Sequence, residues 1–141
     1  MTDTAGQEMF KSLVESYYRN ADCCLLVYDI TNEKSFLEIK NYYTPNIKEK
    51  CKKNIKVALL GNKTDLKDQR QVSSKEGADF ALENNYTFME TSCVEYLNVS
   101  DAFESLVEET NIELQKNKVI NKNIQINNTQ INSHQNSTCF C

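Results

Sequence analysis

Residues 23–30 read CCLLVYDI, an apolar run that closes on a carboxylate and one further apolar residue. Two similar runs follow, IKVALL at residues 55–60 and YTFMET at residues 86–91. None of the three alternates cleanly between apolar and polar residues, which is typical of strands covered on both faces of a parallel sheet. The three runs therefore predict the strands of one parallel sheet.

Apolar residues at helical spacing separate the runs. The first set places one side chain on each turn: Phe36, Ile39, Tyr43 and Ile47. Pro45 lacks a backbone N–H and is expected to bend or interrupt this helix. Ser73 followed by Glu76 predicts the capping box of a second helix. That helix is expected to run through Ala78, Ala81 and Leu82.

A third helix is predicted after Asn98, which is placed to cap it. Its apolar stripe consists of Val99, Phe103, Leu106, Val107, Thr110 and Leu114. Alternating strands and helices favour an α/β fold with right-handed crossovers. In such sheets ligands bind beyond the carboxyl ends of the strands. Asp29, Asn62 and Ser92 lie at or just past these ends, so we expect them on one polar rim.

The bulk composition limits the function classes. The chain has 141 residues and a net charge of −4, from 16 basic and 20 acidic side chains. This length fits one domain and a possible tail. No basic stripe indicates a nucleic-acid partner. No apolar signal segment follows Met1 and no run is long enough to span a membrane, so we expect synthesis in the cytosol.

The six cysteines lack the paired spacing of a zinc site, and a cytosolic chain should keep them reduced. Cys23 and Cys24 lie in an apolar run and are most simply small core residues.

The string Asn62-Lys63-Thr64-Asp65 follows the second strand and Gly61. A carboxylate accepts two hydrogen bonds side by side, which matches the two N–H donors on the edge of guanine. An asparagine amide both donates and accepts, and a lysine stem can cover a ring. Taken alone, the string is equally compatible with a polar turn.

Two further strings carry chemistry. Glu90-Thr91-Ser92-Cys93 follows the third strand, where backbone N–H groups can receive a carbonyl oxygen, although alone it is more often a loop. Residues 3–7, DTAGQ, combine a carboxylate, a glycine and an amide. Glycine lets the backbone approach a phosphate closely, and glutamine can orient an attacking water.

After Gln115 the chain becomes rich in asparagine and glutamine, and residues 117–141 are expected to form a flexible tail. The chain ends in Cys139-Phe140-Cys141. From the residues alone, these cysteines could be a lipid-attachment site, two exposed thiols, or a weak metal site with His134.

Together these strings resemble the Rab branch of the Ras superfamily, in order and in spacing. Further similar strings are YYRNA at residues 17–21, LVYDIT at 26–31, FMETS at 88–92 and NVSDAF at 98–103. The resemblance implies a Ras-like, P-loop-NTPase-like fold, a mostly parallel sheet with flanking helices. It implies a partial GTPase domain over residues 1–116 and a tail over 117–141.

The resemblance also implies roles for single residues. Asp3 would hold Mg²⁺ through water, Gly6 would bind the terminal phosphate beside Thr4 and Ala5, and Gln7 would be catalytic. The guanine-binding residues would be Asn62, Lys63, Asp65, Thr91, Ser92 and Cys93. Lys63 would cover the base, and Ser92 with the Cys93 backbone would support the guanine oxygen. Alanine is usual at the position of Cys93, and the backbone role survives that change.

A Rab-like protein would bind GTP or GDP with Mg²⁺, hydrolyse GTP and act as a switch in vesicle traffic. Its partners would be exchange factors, GTPase-activating proteins, effectors and prenylation escort factors, with no nucleic acid. Prenyl groups on Cys139 and Cys141 would anchor it to the cytosolic face of intracellular membranes, from which it would cycle to the cytosol.

The sequence also lacks two segments of the Rab pattern. Its three glycines form no G-x-x-x-x-G-K-[ST] phosphate loop, and the first switch with its magnesium-binding threonine is also missing. We therefore expect an N-terminally truncated domain with impaired activity. An alternative is a nucleotide-free, prenylated binding module that competes for Rab partners or escort factors.

Overall fold

A computed structural model describes residues 21–135, with side chains through residue 120. The strands are β1 (Cys23–Asp29), β2 (Lys56–Asn62) and β3 (Thr87–Thr91). They pair in parallel in the order β1-β2-β3. The three predicted strands and the parallel sheet are thus confirmed, with small shifts at the strand ends.

The pairing register aligns the carboxyl ends of the strands. Asp29 of β1 lies opposite Asn62 of β2, and Asn62 lies opposite Thr91 of β3. The polar residue that ends each strand therefore reaches the same edge of the sheet. This confirms the expected rim in its backbone geometry.

The connection from β1 to β2 is helical with a change of pitch. It consists of α1 (Glu33–Glu38), a π-helical segment (Ile39–Tyr43) and α2 (Thr44–Lys50). Asn32 caps α1, since its side chain accepts a hydrogen bond from the N–H of Lys34 at 3.1 Å. Pro45 lies in the first turn of α2, where its missing N–H is tolerated. The predicted interruption is confirmed, as a widened turn just before the proline.

Between β2 and β3 lie a 3-10 segment (Thr64–Gln69) and α3 (Ser74–Asn84). The Ser73 hydroxyl accepts from the N–H of Glu76 at 3.1 Å, which confirms the predicted N-cap. The predicted helix through Ala78, Ala81 and Leu82 is confirmed. Ala81 is buried, whereas the neighbouring Leu82 is 79% exposed, because successive helical residues point about 100° apart around the axis.

The last helix is α4 (Val99–Gln135). Its first part lies against β3, where the Thr87 hydroxyl donates to the Glu109 carboxylate at 2.9 and 3.1 Å. Ala102 and Leu106 are buried, whereas Phe103 and Val107 of the predicted stripe are about half exposed.

The helix continues through residues 117–135, where the sequence led us to expect a flexible tail. No glycine or proline interrupts this stretch, and asparagine and glutamine are tolerated in helices. The chain divides into two compact units between Thr110 and Asn111. The division into a domain and a tail at residues 116 and 117 stays a prediction. Among the described residues, no helix has the length and apolarity needed to cross a membrane.

The main hydrophobic cluster lies on one face of the sheet and contains several aromatic rings. The ring centroids of Tyr28 and Phe36 are 4.8 Å apart, and those of Phe36 and Phe80 are 5.6 Å apart. Cys24 packs against this core, and burial raises its pKa to about 11, consistent with a small core residue. Cys23 is only half-buried.

Tyr28 connects the core with the polar rim. It is 1% exposed, its hydroxyl has no hydrogen-bond partner among the described residues, and burial raises its pKa to about 12. The hydroxyl lies over Gly61, where an added Cβ would come within 2.8 Å of it. Gly61 directly precedes Asn62, so a glycine is required where β2 enters the rim.

We predict that Gly61→Ala lowers the free energy of unfolding by about 1–3 kcal/mol, as overpacking commonly does. The loss should be smaller in a Tyr28→Phe background, because that change removes the atom nearest to the new Cβ. Urea unfolding of the two single variants and the double variant measures the coupling. Strictly additive effects, or a neutral Gly61→Ala, would contradict the packing described.

Candidate functional site

Two loops meet at the carboxyl edge of the sheet. The first, residues 62–65, follows β2, and the second, residues 91–93, begins at the end of β3. The Thr91 hydroxyl donates to the side-chain oxygen of Asn62 at 3.2 Å, and the Cys93 thiol donates to the same oxygen at 3.7 Å. The buried Thr64 hydroxyl donates to the carbonyl of Thr91 at 3.2 Å. The two loops are thus joined directly by their own side chains.

The carboxylate of Asp65 is fixed by Ser92. The hydroxyl of Ser92, which is fully buried, donates to one oxygen of Asp65 at 2.5 Å. The same hydroxyl accepts from the N–H of Glu95 at 3.1 Å, which sets its direction. Because an ionised carboxylate has about four acceptor positions, Asp65 retains the capacity to accept two further parallel donors.

Lys63 occupies an uncommon backbone conformation. Its φ of 71° and ψ of 39° lie in the left-handed region, which costs a residue with a Cβ about 1–2 kcal/mol. Its ammonium group lies 2.6 Å from a carboxylate oxygen of Asp29, and its side chain is half exposed. In this arrangement the Lys63 side chain lies along the rim, in contact with β1.

Asp29 is held from two sides. One oxygen pairs with Lys63, and the other accepts from the N–H and the hydroxyl of Thr31 at 2.8 and 2.7 Å. Burial would raise the pKa of Asp29, but the hydrogen bonds from Lys63 and Thr31 outweigh it and lower the pKa. The same ion pair raises the pKa of Lys63. Asp29 is therefore an ionised anchor for Lys63, with both oxygens engaged.

The loop after Ser92 closes on itself. The backbones of Ser92 and Leu97 exchange two hydrogen bonds, at 3.2 and 2.9 Å, and the loop turns through a positive φ at Tyr96 and Asn98. The side-chain amide of Asn98 donates to the carbonyl of Glu90 at 2.9 Å. The N–H of Ser92 is thus engaged with Leu97, whereas the neighbouring Cys93 is exposed.

The predicted site residues fall into two sets. The structure joins Asn62 to Thr91 and Cys93, and Asp65 to Ser92. Lys63 lies in the same loop as Asn62 and Asp65, but its side chain pairs with Asp29. The remaining ones lie outside the described residues: Asp3, Thr4, Ala5, Gly6, Gln7, Cys139 and Cys141. Among the described residues, no group of three or more histidine, cysteine, aspartate or glutamate side chains could hold a metal ion.

The sequence motifs do not predict the contacts made by Thr31, Arg70 and Glu90. Arg70 and Glu90 form a paired ion bridge with bonds of 2.6 and 3.1 Å. Glu90 belongs to the string Glu90-Thr91-Ser92-Cys93, but its partner Arg70 lies outside that string, 20 residues earlier in the chain. Only the fold brings the two side chains together.

The site combines a fixed carboxylate, an asparagine amide and a lysine at the end of a parallel sheet. Chemically it is suited to a planar ligand that offers two adjacent N–H donors.

Comparison with known proteins identifies the family. A sequence model described as the Ras family matches residues 1–112. The chain is 45% identical to Ras-related protein Rab-8A of Bos taurus over 114 residues, 81% of this chain and 55% of that protein. It is 47% identical to Ras-related protein Rab-8B of Homo sapiens over 104 residues, 74% of this chain and 50% of that protein.

A third relative is Ras-related protein Rab-8 of Diplobatis ommata, 43% identical over 121 residues, 86% of this chain and 56% of that protein. The chain spans about half the length of the curated relatives it matches. The match to the family model covers most of the chain, and the relatives share one branch of that family. This chain therefore belongs to the Ras family, as a Rab-like member.

Proposed function

We propose that this chain recognises the base of GTP and GDP, as part of a Rab-type switch that hydrolyses GTP in vesicle traffic. The observation that carries the proposal is the Asp65 carboxylate, held at 2.5 Å by the buried Ser92 hydroxyl beside Asn62. Holding a carboxylate in place before the ligand arrives reduces the ordering that binding requires.

Guanine fits this arrangement and adenine does not. Guanine offers its N1–H and its exocyclic amine side by side, and both can be accepted by Asp65. Adenine has an acceptor at N1, which would face the negative carboxylate. For the guanine oxygen, the N–H of Cys93 is the better donor, since the N–H of Ser92 is used by Leu97. Lys63 would cover the ring with its stem while its ammonium stays near Asp29.

The phosphate side of the proposed site rests on residues 3–7. Asp3 would hold Mg²⁺ through water, Gly6 with Thr4 and Ala5 would contact phosphate, and Gln7 would orient the attacking water. A bound magnesium ion would neutralise phosphate charge during hydrolysis. These roles are supported by membership of the Ras family.

Membrane attachment is proposed for the chain terminus. Prenyl groups on Cys139 and Cys141 would hold the protein on the cytosolic face of intracellular membranes, because two lipid chains give stable anchoring where one does not. Exchange factors, GTPase-activating proteins, effectors and escort factors are the partners that the Rab relationship suggests.

We predict that Asp65→Asn changes the base preference of the site from guanine to xanthine. The asparagine amide would donate to the C2 carbonyl of xanthine while its oxygen accepts the N1–H. Affinity for GDP should fall about 10- to 100-fold, the usual range for losing hydrogen bonds to a charged group, and affinity for xanthosine diphosphate should rise. NMR titration of the chain with GDP, ADP and xanthosine diphosphate, carried to millimolar ligand, measures all three.

Asp68→Asn is the matched control, since Asp68 is an exposed carboxylate in the same 3-10 segment and should leave the preference unchanged. An Asp65→Asn variant that keeps the preference for GDP would refute the proposed role of Asp65.

We further predict that the 141-residue polypeptide binds GTP more weakly than micromolar and hydrolyses it negligibly. The residues present include base contacts but no glycine-rich phosphate loop with its lysine, and most of the ligand's charge lies on the phosphates. A fluorescent-nucleotide titration with a parallel phosphate-release assay checks both expectations. Saturation at micromolar or lower concentration would contradict the prediction.

A further inference from the structure

Arg70 and Glu90 form a bidentate ion pair next to the two loops of the candidate site. The Arg70 nitrogens Nη1 and Nη2 lie 2.6 and 3.1 Å from the two carboxylate oxygens of Glu90. Only about a fifth of each side chain is exposed. Nη1 also donates to the carbonyl of Val72 at 3.1 Å, which ties the guanidinium to the backbone just after it. A planar, bidentate pair of this kind fixes orientation as well as distance.

The position of the pair connects it to the site. Arg70 directly follows the 3-10 segment that begins at Thr64 and contains Asp65. Glu90 directly precedes Thr91, at the end of β3. The pair therefore joins the downstream end of the first loop to the upstream end of the second.

A second interaction, between Asn98 and the backbone of Glu90, holds the end of β3. The carbonyl of Glu90 accepts from the side chain of Asn98, which fixes the far end of the loop that follows Ser92. Glu90 is thus held through its side chain by Arg70 and through its backbone by Asn98. This leaves the strand end that carries Ser92 little freedom to move relative to Asp65.

We propose that Arg70 and Glu90 are positioning residues that set the angle of the Asp65 carboxylate and so determine discrimination at the exocyclic amine of guanine. This rests on the proposed function, because it assigns a specificity role within the same site. Two parallel hydrogen bonds to one carboxylate need both donors within the narrow angular range of a good hydrogen bond. A rotation of Asp65 that preserves the bond to N1 weakens the bond to the amine first.

Inosine diphosphate isolates this second bond, because its base keeps the N1–H and lacks the amine. The ratio of the dissociation constants for inosine diphosphate and GDP therefore reports on the angle of Asp65. A general loss of stability lowers the folded fraction and affects both ligands equally, so it leaves the ratio unchanged.

We expect the unaltered chain to prefer GDP over inosine diphosphate by about tenfold or more, as a hydrogen bond to a charged group implies. Arg70→Ala should reduce this ratio at least about threefold in NMR titrations. The single variant Glu90→Arg should also have a reduced ratio. The charge-reversed double variant Arg70→Glu/Glu90→Arg should recover part of the ratio, because it restores a pair of opposite charges. Lys75→Ala is the control, since it removes an exposed ion pair with Asp79 on α3 and should leave the ratio unchanged.

Arg70→Lys covers the case in which Arg70→Ala does not fold. Lysine keeps the charge but offers no planar fork, so a reduced ratio in a folded Arg70→Lys variant supports the proposal. Ratios equal to that of the unaltered chain in the folded variants would overturn it. Equal affinity of the unaltered chain for GDP and ADP would instead overturn the proposed function, so the two failures are distinguishable.

Discussion

The parallel register of the sheet is the constraint on which the site depends. It places Asp29 beside Asn62 and Asn62 beside Thr91, so that three strands end their apolar runs at one edge. A slip by one residue would turn every side chain of a strand to the opposite face and move the buried set into solvent. The hydrogen bonds between the loops, including that of Ser92 to Asp65, can form because the strands end at the same edge and place the two loops side by side.

The core and the rim are coupled through β2. Gly61 lies between the buried Leu60 and the rim residue Asn62, and the enclosed hydroxyl of Tyr28 rests against it. Among the described residues this hydroxyl has no hydrogen-bond partner, a situation that costs about 1–3 kcal/mol. Lys63 adds the cost of its left-handed backbone. Both costs fall next to the residues proposed to recognise the base. Strain that persists at such positions is common in functional sites.

The sequence predicted the strands, the interruption at Pro45 and the meeting of the two loops, because apolar runs and motif order are local patterns. It did not predict the ion pair of Lys63 with Asp29 or of Arg70 with Glu90, since each joins residues from different elements. The helix over residues 117–135 was not predicted either. It lies in a stretch whose polar residues neither demand nor forbid a helix.

We propose that Asp65, held by Ser92, accepts the N1–H and the amine of guanine together. A crystal structure of the chain with GDP tests it most directly. We expect the two Asp65 oxygens to lie within about 3.2 Å of guanine N1 and N2, with the bond to Ser92 retained. A guanine base bound in the site with the Asp65 carboxylate out of hydrogen-bonding reach, or bound elsewhere on the protein, would contradict it.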